Sequence, residues 1–191
     1  MCGRVRLSND YSEIKIRLKF DAEAPAPNLR QSWNTPPTGD MLCATYTEDG
    51  KRISQIMHWG LIPGWAKDTK GGYATFNARA ETVTTKPAFR DAWKNGRHCL
   101  VVTNGFYEWR KSDRQSFAIG MHDDGLMVMA GLWDEWTSPM GERIRSCTVI
   151  TTTSNGVIGE VHDRMPVILD EADWPKWLGE EPATDDELKA L

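Results

Sequence analysis

The chain has 191 residues, 40% of them hydrophobic and 26% charged, which is enough to form a sizeable core and favours one soluble globular domain. No apolar run approaches the ~18 residues that cross a membrane, and the N-terminal segment lacks the apolar stretch of a secretory signal. We therefore expect a cytoplasmic protein with no membrane partner. The four cysteines show no C-x-x-C spacing and no zinc-finger histidines, which argues against a disulfide framework and a structural metal.

The net charge of −4 argues at first against a nucleic-acid partner. The charge is unevenly distributed, however. Residues 170–191 carry eight acids and two lysines, a net charge of −6, so residues 1–169 are left at +2. The acidity thus belongs to a C-terminal tail, and the weakly basic remainder leaves room for a polyanion partner.

The first third of the chain predicts a strand, a helix and a hairpin. Val5 and Leu7 alternate with arginines, which predicts a short strand. The apolar residues of segment 12–20 have helical spacing, and Ser12 is the predicted N-cap. A proline-rich loop then leads to two apolar runs on either side of Asp49 and Gly50. An Asp-Gly pair between apolar runs is typical of a tight β-hairpin.

The remaining chain predicts many short strands and a few helices. A long loop over residues 61–82 is followed by a helix with Pro87 in its first turn and Gly96 just past its end. Further strands are predicted over residues 97–103, 106–110, 115–122, 126–133, 143–153 and 166–169, and further helices over residues 155–160, 170–178 and 184–190. Without regular βαβ alternation, this pattern indicates an α+β fold with a curled or barrel-like, mainly antiparallel β-sheet flanked by a few helices. We expect one domain over residues 1–191, with residues 170–191 as an acidic helical tail.

Cys2 is the most informative candidate for chemistry. Methionine before a small side chain is commonly removed, and loss of Met1 would give Cys2 a free α-amine next to its thiol. An α-amine titrates near about 7.7 to 8.0 and a thiol near about 8.5, so a useful fraction of each nucleophile exists at neutral pH. The amine can form a Schiff base with an aldehyde, and the thiolate can then close a thiazolidine ring. The simpler alternative is that Cys2 packs as a small apolar residue.

Five separated segments, the first of which contains Cys2, are informative when they are taken together. They are MCGR (1–4), WGLIPGWAKD (59–68), FNARAET (76–82), GFYEW (105–109) and HDRMPVIL (162–169). In this order they resemble the SOS response-associated peptidase (SRAP) family, the abasic-site processing proteins. The resemblance covers residues 1–169. It implies an α+β domain that binds single-stranded DNA, traps the ring-opened aldehyde of an abasic site on the N-terminal cysteine, and needs no metal or other cofactor.

The resemblance implies a catalytic group of four residues. Cys2 would be the crosslinking nucleophile and Asn77 would hold its α-amine. Glu108 would shuttle protons, and His162 would act as an acid/base beside the sugar, roles that suit a carboxylate and an imidazole. The local pattern alone leaves simpler alternatives open: Glu108 as an exposed strand residue, His162 as a loop histidine paired with a carboxylate, and Asn77 as a turn residue.

Six further residues are implied to contact the DNA strand: Arg4, Arg79 and Arg164 at phosphates, Pro37 and Trp65 at a base, and Thr151 through a hydrogen bond to the DNA backbone. A guanidinium matches phosphate oxygens and stays charged, and an indole in a loop can stack on a base. A surface ion pair between Arg79 and Glu81 is the simpler alternative for that segment.

Two places depart from the family's usual pattern. Thr103 and Asn104 stand where Pro-Ala more often precedes the GFYEW segment, so Glu108 is expected to shift slightly relative to Cys2. Pro87 stands where a second basic phosphate contact is often found. Lys86 or Arg90 is the expected substitute.

The sequence thus predicts a monomeric protein of the DNA-damage (SOS) response that crosslinks covalently to abasic sites in single-stranded DNA, with associated lyase and autopeptidase activity. We expect it to associate with the nucleoid when it acts on DNA. The second hypothesis is a cysteine-type peptidase limited to removal of its own Met1, with Cys2 as nucleophile and His162 as base. The third is a non-covalent single-stranded DNA-binding module that uses Trp65 and the arginines.

Overall fold

A computed structural model of the chain describes residues 2–191; Met1, whose removal the sequence predicts, lies outside them. The strands are β1 (Val5–Leu7), β2 (Ser32–Thr35), β3 (Asp40–Tyr46), β4 (Arg52–Trp59), β5 (Asn77–Arg79), β6 (His98–Thr103), β7 (Gly105–Trp109), β8 (Ser116–Gly120), β9 (Met127–Thr137), β10 (Arg143–Thr153) and β11 (Arg164–Pro166). The helices are α1 (Tyr11–Arg17), α2 (Arg90–Lys94), α3 (Gly156–Gly159), α4 (Trp174–Leu178) and α5 (Asp185–Ala190), with 3₁₀ turns at Lys70–Ala74 and Glu171–Asp173.

Five strands close into a small barrel. The order is β10, β4, β3, β6 and β9, and β9 pairs back onto β10. The β4–β10 pair is parallel and the other barrel pairs are antiparallel. Beyond the barrel, β10 also pairs with β5 in parallel and with β11 in antiparallel orientation. The predicted α+β fold with a barrel-like, mainly antiparallel sheet is confirmed.

A second, antiparallel sheet packs beside the barrel in the order β2, β1, β7, β8. In this sheet Val5 of β1 lies opposite both Thr35 of β2 and Phe106 of β7. Val5 and Phe106 are each 1% exposed and belong to the same hydrophobic cluster as Cys2. Burial of this apolar face fixes the N-terminal segment against the barrel.

Alternate residues of the barrel strands feed two hydrophobic clusters. On β3, Leu42 and Ala44 pack with the helices, whereas Met41 and Cys43 pack with the cluster that contains Cys2. This alternation is the period of two that a strand buried on both faces requires. All four cysteines are buried and free.

Some boundaries differ from the sequence prediction. The helix predicted over residues 12–20 begins at Tyr11, and its N-cap is Asp10 rather than Ser12. Strands β2 and β5 lie in segments that were predicted to be loops. The strand predicted over residues 166–169 is β11, which ends at Pro166.

The acidic segment 170–191 is helical, as predicted, but it is also part of the core. Trp174 and Trp177 are 4% and 2% exposed, and the indole N–H of Trp177 donates to the carbonyl of Cys99 at 3.0 Å. Arg52 of β4 donates to both carboxylate oxygens of Glu180, at 2.5 and 2.7 Å. The segment is therefore anchored to the barrel at several points.

No helix within residues 2–191 is both long enough and apolar enough to cross a membrane.

Candidate active site

Pairing between β1 and β7 determines where Cys2 lies. The N–H of Tyr107 donates to the carbonyl of Arg4 at 2.8 Å, which extends the β1–β7 ladder toward the N-terminus. Cys2 is two residues earlier and is 1% exposed. The N-terminal segment therefore runs alongside the strand that carries Glu108.

Glu108 points into the protein from β7. Phe106 and Glu108 are buried, whereas Trp109 is 44% exposed, as expected for alternating faces of a strand. The strand begins at Gly105, whose φ is +152° and whose added Cβ would lie 2.2 Å from the carbonyl oxygen of Ile119. Only glycine fits so close to β8. At 4% exposure, Glu108 is not the exposed strand residue of the simpler alternative.

Asn77 is placed by β5. This strand pairs in parallel with β10, and the indole N–H of Trp59 fixes its approach by donating to the carbonyl of Phe76 at 2.8 Å. The side-chain amide of Asn77 donates from Nδ2 to the carbonyl of Cys2 at 2.7 Å. Its Oδ1 is buried and accepts no hydrogen bond from any residue between 2 and 191. Asn77 thus holds the main chain of Cys2 and keeps an acceptor available beside it.

His162 follows α3, and its main-chain N–H donates to the carbonyl of Ile158 at 2.9 Å. Its Nε2 lies 3.9 Å from Oε1 of Glu108. Its Nδ1 lies 3.0 Å from the N–H of Arg164 and 2.9 Å from Oδ1 of Asp163. Nδ1 can accept a hydrogen bond from the N–H of Arg164, and the Asp163 carboxylate lies beside the same atom.

Burial, followed by the nearby Glu108 carboxylate, raises the pKa of the Cys2 thiol well above its usual value. The thiol therefore keeps its proton at neutral pH in this state. Because the thiolate is the reactive form of cysteine, the thiol is a poor first nucleophile here. An α-amine on the same residue is better suited to react first with an aldehyde.

Of the three arginines implied to contact phosphates, two lie around β5, β10 and β11. Arg79 is exposed on β5 and lies beside Thr151 of β10. Arg164 of β11 donates to both carboxylate oxygens of Glu81. Arg4 is in the N-terminal segment just before β1, and it donates to Oδ1 of Asn34 at 3.1 Å. The alternative pairing of Glu81 with Arg79 is wrong, because Glu81 pairs with Arg164.

Thr151 does not have the surface position that a DNA contact needs. It is 0% exposed, its hydroxyl donates to the carbonyl of Ala78 at 3.3 Å, and its own carbonyl accepts from Arg164. Its side chain can influence a bound strand only through these neighbours. Trp65, by contrast, is 62% exposed in its loop, and Pro37 is partly exposed.

A cavity of about 260 Å³ opens beside the site. Asn77, Arg79 and Lys86 are among its lining residues. This placement favours Lys86 as the basic residue that replaces the one missing at Pro87.

Two residues that support the site were not predicted from the sequence, Trp59 and Asp163. Trp59 lies in the WGLIPGWAKD segment and Asp163 directly follows His162, so both lie in segments that the sequence had singled out.

Comparison with known proteins identifies the family. The model of the family "SOS response associated peptidase (SRAP)" matches residues 1–191. The abasic site processing protein YoqW of Bacillus subtilis (strain 168) is 36% identical over 194 residues, which cover 100% of this chain and 86% of YoqW. The abasic site processing protein HMCES of Xenopus tropicalis is 36% identical over 170 residues, which cover 75% of this chain and 50% of HMCES.

Solved structures share the fold. A protein from Bacteroides thetaiotaomicron matches with a TM-score of 0.86 at 24% identity, covering 99% of this chain and 85% of that one. A protein from Bordetella bronchiseptica matches with a TM-score of 0.79 at 24% identity, covering 97% of this chain and 96% of that one. Given the family match over the whole chain and the YoqW relationship, this protein belongs to the SRAP family.

Proposed function

We propose that this protein processes abasic sites in single-stranded DNA by forming a covalent thiazolidine crosslink through Cys2. The observation that carries the proposal is the convergence of four side chains from separate elements on the N-terminal segment: Cys2, Asn77, Glu108 and His162. The names of the relatives, abasic site processing proteins, give the substrate class.

The first step uses the α-amine of Cys2 after loss of Met1. The amine attacks the aldehyde carbon of the ring-opened sugar and forms a carbon–nitrogen bond. After proton transfer, the former carbonyl oxygen leaves as water and an imine remains. The Nδ2 group of Asn77 holds the Cys2 carbonyl, and in this proposal its buried Oδ1, which accepts no hydrogen bond within residues 2–191, accepts one from the amine. His162 supplies the proton that the leaving oxygen needs.

The second step uses the thiol. Sulfur adds to the imine carbon, the carbon–nitrogen double bond becomes single, and the thiol proton moves to the nitrogen. The raised pKa of the Cys2 thiol means that this proton is still present when the imine forms. Glu108 accepts it from sulfur and passes it to nitrogen, so no outside oxidant or reductant is needed.

The strand is oriented by the basic side chains around the site. Arg4, Arg79 and Arg164 contact phosphates, and Trp65 with Pro37 supports a base. Because the protein carries a net charge of −4, we propose that non-covalent binding of intact strands is weak. We also propose that it acts as a cytoplasmic monomer, with the covalent bond providing retention on DNA.

The test is incubation of the purified protein with an abasic single-stranded oligonucleotide, followed by a denaturing gel and intact-mass measurement. Wild type should lack Met1 and give a heat-stable shifted species. Cys2→Ala should give none, although its α-amine should still form an imine that borohydride traps. Equal heat-stable yields from wild type and Cys2→Ala would contradict the proposal, as would strand binding that depends only on salt and not on Cys2.

Removal of Met1 by the protein itself is a second candidate function, favoured by the closeness of Glu108 and His162 to the N-terminal segment. In a host without methionine aminopeptidase activity, wild type should lose Met1 and Glu108→Ala should keep it. Loss of Met1 from neither protein, or from both equally, would exclude this activity.

A further inference from the structure

Arg164 already has an acid bound to it. Its side chain is only 12% exposed, and its Nη1 and Nη2 donate to the two carboxylate oxygens of Glu81 at 2.5 and 3.0 Å. Two parallel donors reaching two oxygens is also the geometry with which a guanidinium binds a phosphate group. The edge of Arg164 formed by these two nitrogens is therefore occupied.

Arg164 also has contacts with residues other than Glu81. Its Nη2 also donates to the carbonyl of Thr151 and lies 3.3 Å from the Thr151 hydroxyl. Its main chain is fixed by the β10–β11 ladder, in which Arg164 lies opposite Thr153. These contacts would still hold Arg164 if the Glu81 carboxylate turned away.

Glu81 is the more exposed partner. It lies two residues after β5, and its side chain is 51% exposed. Its hydrogen bond with Arg164 is the main cause that lowers its pKa, so the carboxylate is ionised at neutral pH. A half-exposed glutamate can turn into solvent, where water replaces its hydrogen bonds at modest cost.

We propose that Glu81 is an internal substitute for phosphate: its carboxylate occupies the donor edge of Arg164 and must be displaced before a DNA phosphate can bind there. This inference rests on the proposed function for its ligand, a single DNA strand. Glu81 thereby weakens binding to every strand equally, but only a strand with an abasic aldehyde recovers the loss through the bond to Cys2. Glu81 is thus a determinant of selectivity for damaged over intact strands.

The test measures binding of a fluorescent oligothymidylate without abasic sites at low salt. Glu81→Gln should bind about threefold to fivefold more tightly than wild type, the range that a partly exposed ion pair supports. Glu81→Asp, which keeps the charge but shortens the reach to Arg164, should give a smaller gain. Glu142→Gln is the matched control, since it removes one negative charge from an exposed residue just before β10, about 30 Å along the chain from Thr151.

A double-mutant cycle separates displacement from general charge. In an Arg164→Ala background, Glu81→Gln should change binding no more than Glu142→Gln does. Weaker or unchanged binding by Glu81→Gln would overturn the inference, because it would make Glu81 a support of Arg164. Equal gains with and without Arg164 would overturn it as well.

The same preparations separate this inference from the proposed function. Failure of wild type to crosslink an abasic oligonucleotide would contradict the proposed chemistry, yet the oligothymidylate measurements would still decide the role of Glu81. If no variant, including Glu81→Gln, bound the strand at low salt, the inference about Glu81 would fail, while the crosslinking result would still decide the proposed function.

Discussion

At the scale of single residues, the site separates two nucleophiles that share one amino acid. Burial and the Glu108 carboxylate keep the Cys2 thiol protonated, while Asn77 binds the Cys2 carbonyl and leaves Oδ1 beside the main chain. In the mechanism proposed above, this arrangement is the reason why nitrogen reacts first and sulfur second. In the proposed mechanism, Glu108 carries the thiol proton in the second step.

Replacing Glu108 with glutamine should slow formation of the heat-stable crosslink by about a hundredfold, the usual effect of losing an acid/base group. The amide has the same shape but cannot carry the thiol proton to nitrogen. The imine, measured by borohydride trapping, should accumulate because ring closure becomes limiting. A crosslinking rate within about twofold of wild type would remove Glu108 from the proton path.

The motifs could predict which residues meet, but not how each one is bonded. Cys2, Glu108 and His162 were expected together, and the structure places Glu108 and His162 3.9 Å apart. The burial of Thr151 and the pairing of Glu81 with Arg164 were not predictable. Each depends on the register between strands that are distant in sequence, and one residue of slip would turn the side chain to the other face.

At the scale of elements, β7 is held in place at its first residue. Gly105 combines a positive φ with a close approach to the carbonyl of Ile119 on β8. The strand that carries Glu108 can therefore begin only where a side chain is absent. In the GFYEW segment, Gly105 at one end is required by the fold, and Glu108 near the other end is the proposed proton carrier.

Gly105→Ala should lower the free energy of unfolding by about 2 to 4 kcal/mol, because backbone strain and a steric clash act together. Gly141→Ala is the matched control: its φ is +86°, but nothing lies within 4 Å of its added Cβ. It should cost only about 1 kcal/mol. Urea denaturation of both variants measures the difference, and equal losses would show that the clash with β8 is relieved by a small shift.

Elements with a clear local sequence pattern could be predicted. Strands that form only because they pair with a distant strand could not. The Asp49-Gly50 turn between β3 and β4 was expected from its sequence and is present. Strand β5 has three residues, too few for a period of two to show, and it forms because β10 offers a parallel edge. The β4–β10 pair is likewise parallel and has no local sequence signature.

At the scale of the whole molecule, the split in charge does not correspond to a split in structure. The segment 170–191 carries a net charge of −6, yet Trp174 and Trp177 lie in the main hydrophobic cluster. The net charge alone predicted a separate C-terminal tail, because a count of charges takes no account of the two tryptophans that anchor the segment. The acidic surface is therefore a fixed part of the protein, anchored through Trp174 and Trp177.

Trp177 also helps to bury a histidine. The ring of His98 lies 4.6 Å from that of Trp177 and 5.1 Å from that of Trp93, and its Nε2 has no hydrogen-bond partner within residues 2–191. Burial lowers the pKa of His98 from 6.5 to about 4, although Asp185 acts in the opposite direction. Between about pH 4 and pH 6.5, His98 is therefore neutral in the folded protein, whereas the same histidine takes up a proton in the unfolded chain.

This difference makes stability depend on pH. The contribution of His98 should be complete above pH 6.5, fall as pH drops, and be lost near pH 4, a total of about 3 kcal/mol. Urea denaturation at pH 7.5 and pH 5 should show the loss in wild type and in the control His122→Gln, whose side chain is exposed. His98→Gln should lack most of this pH-dependent loss. An unchanged pH dependence in that variant would contradict the assignment.

Strand β10 links the barrel to the site, and this has a consequence for amide hydrogen exchange. Its first half is paired with β9, whereas Thr151 and Thr153 meet the three-residue strands β5 and β11. Short strands at the end of a ladder open locally at low free energy, while the amides of β6, paired on both sides, exchange only through global unfolding. We therefore expect amides at the β5 and β11 end of β10, where the proposed DNA contacts lie, to exchange faster than those of the barrel strand β6.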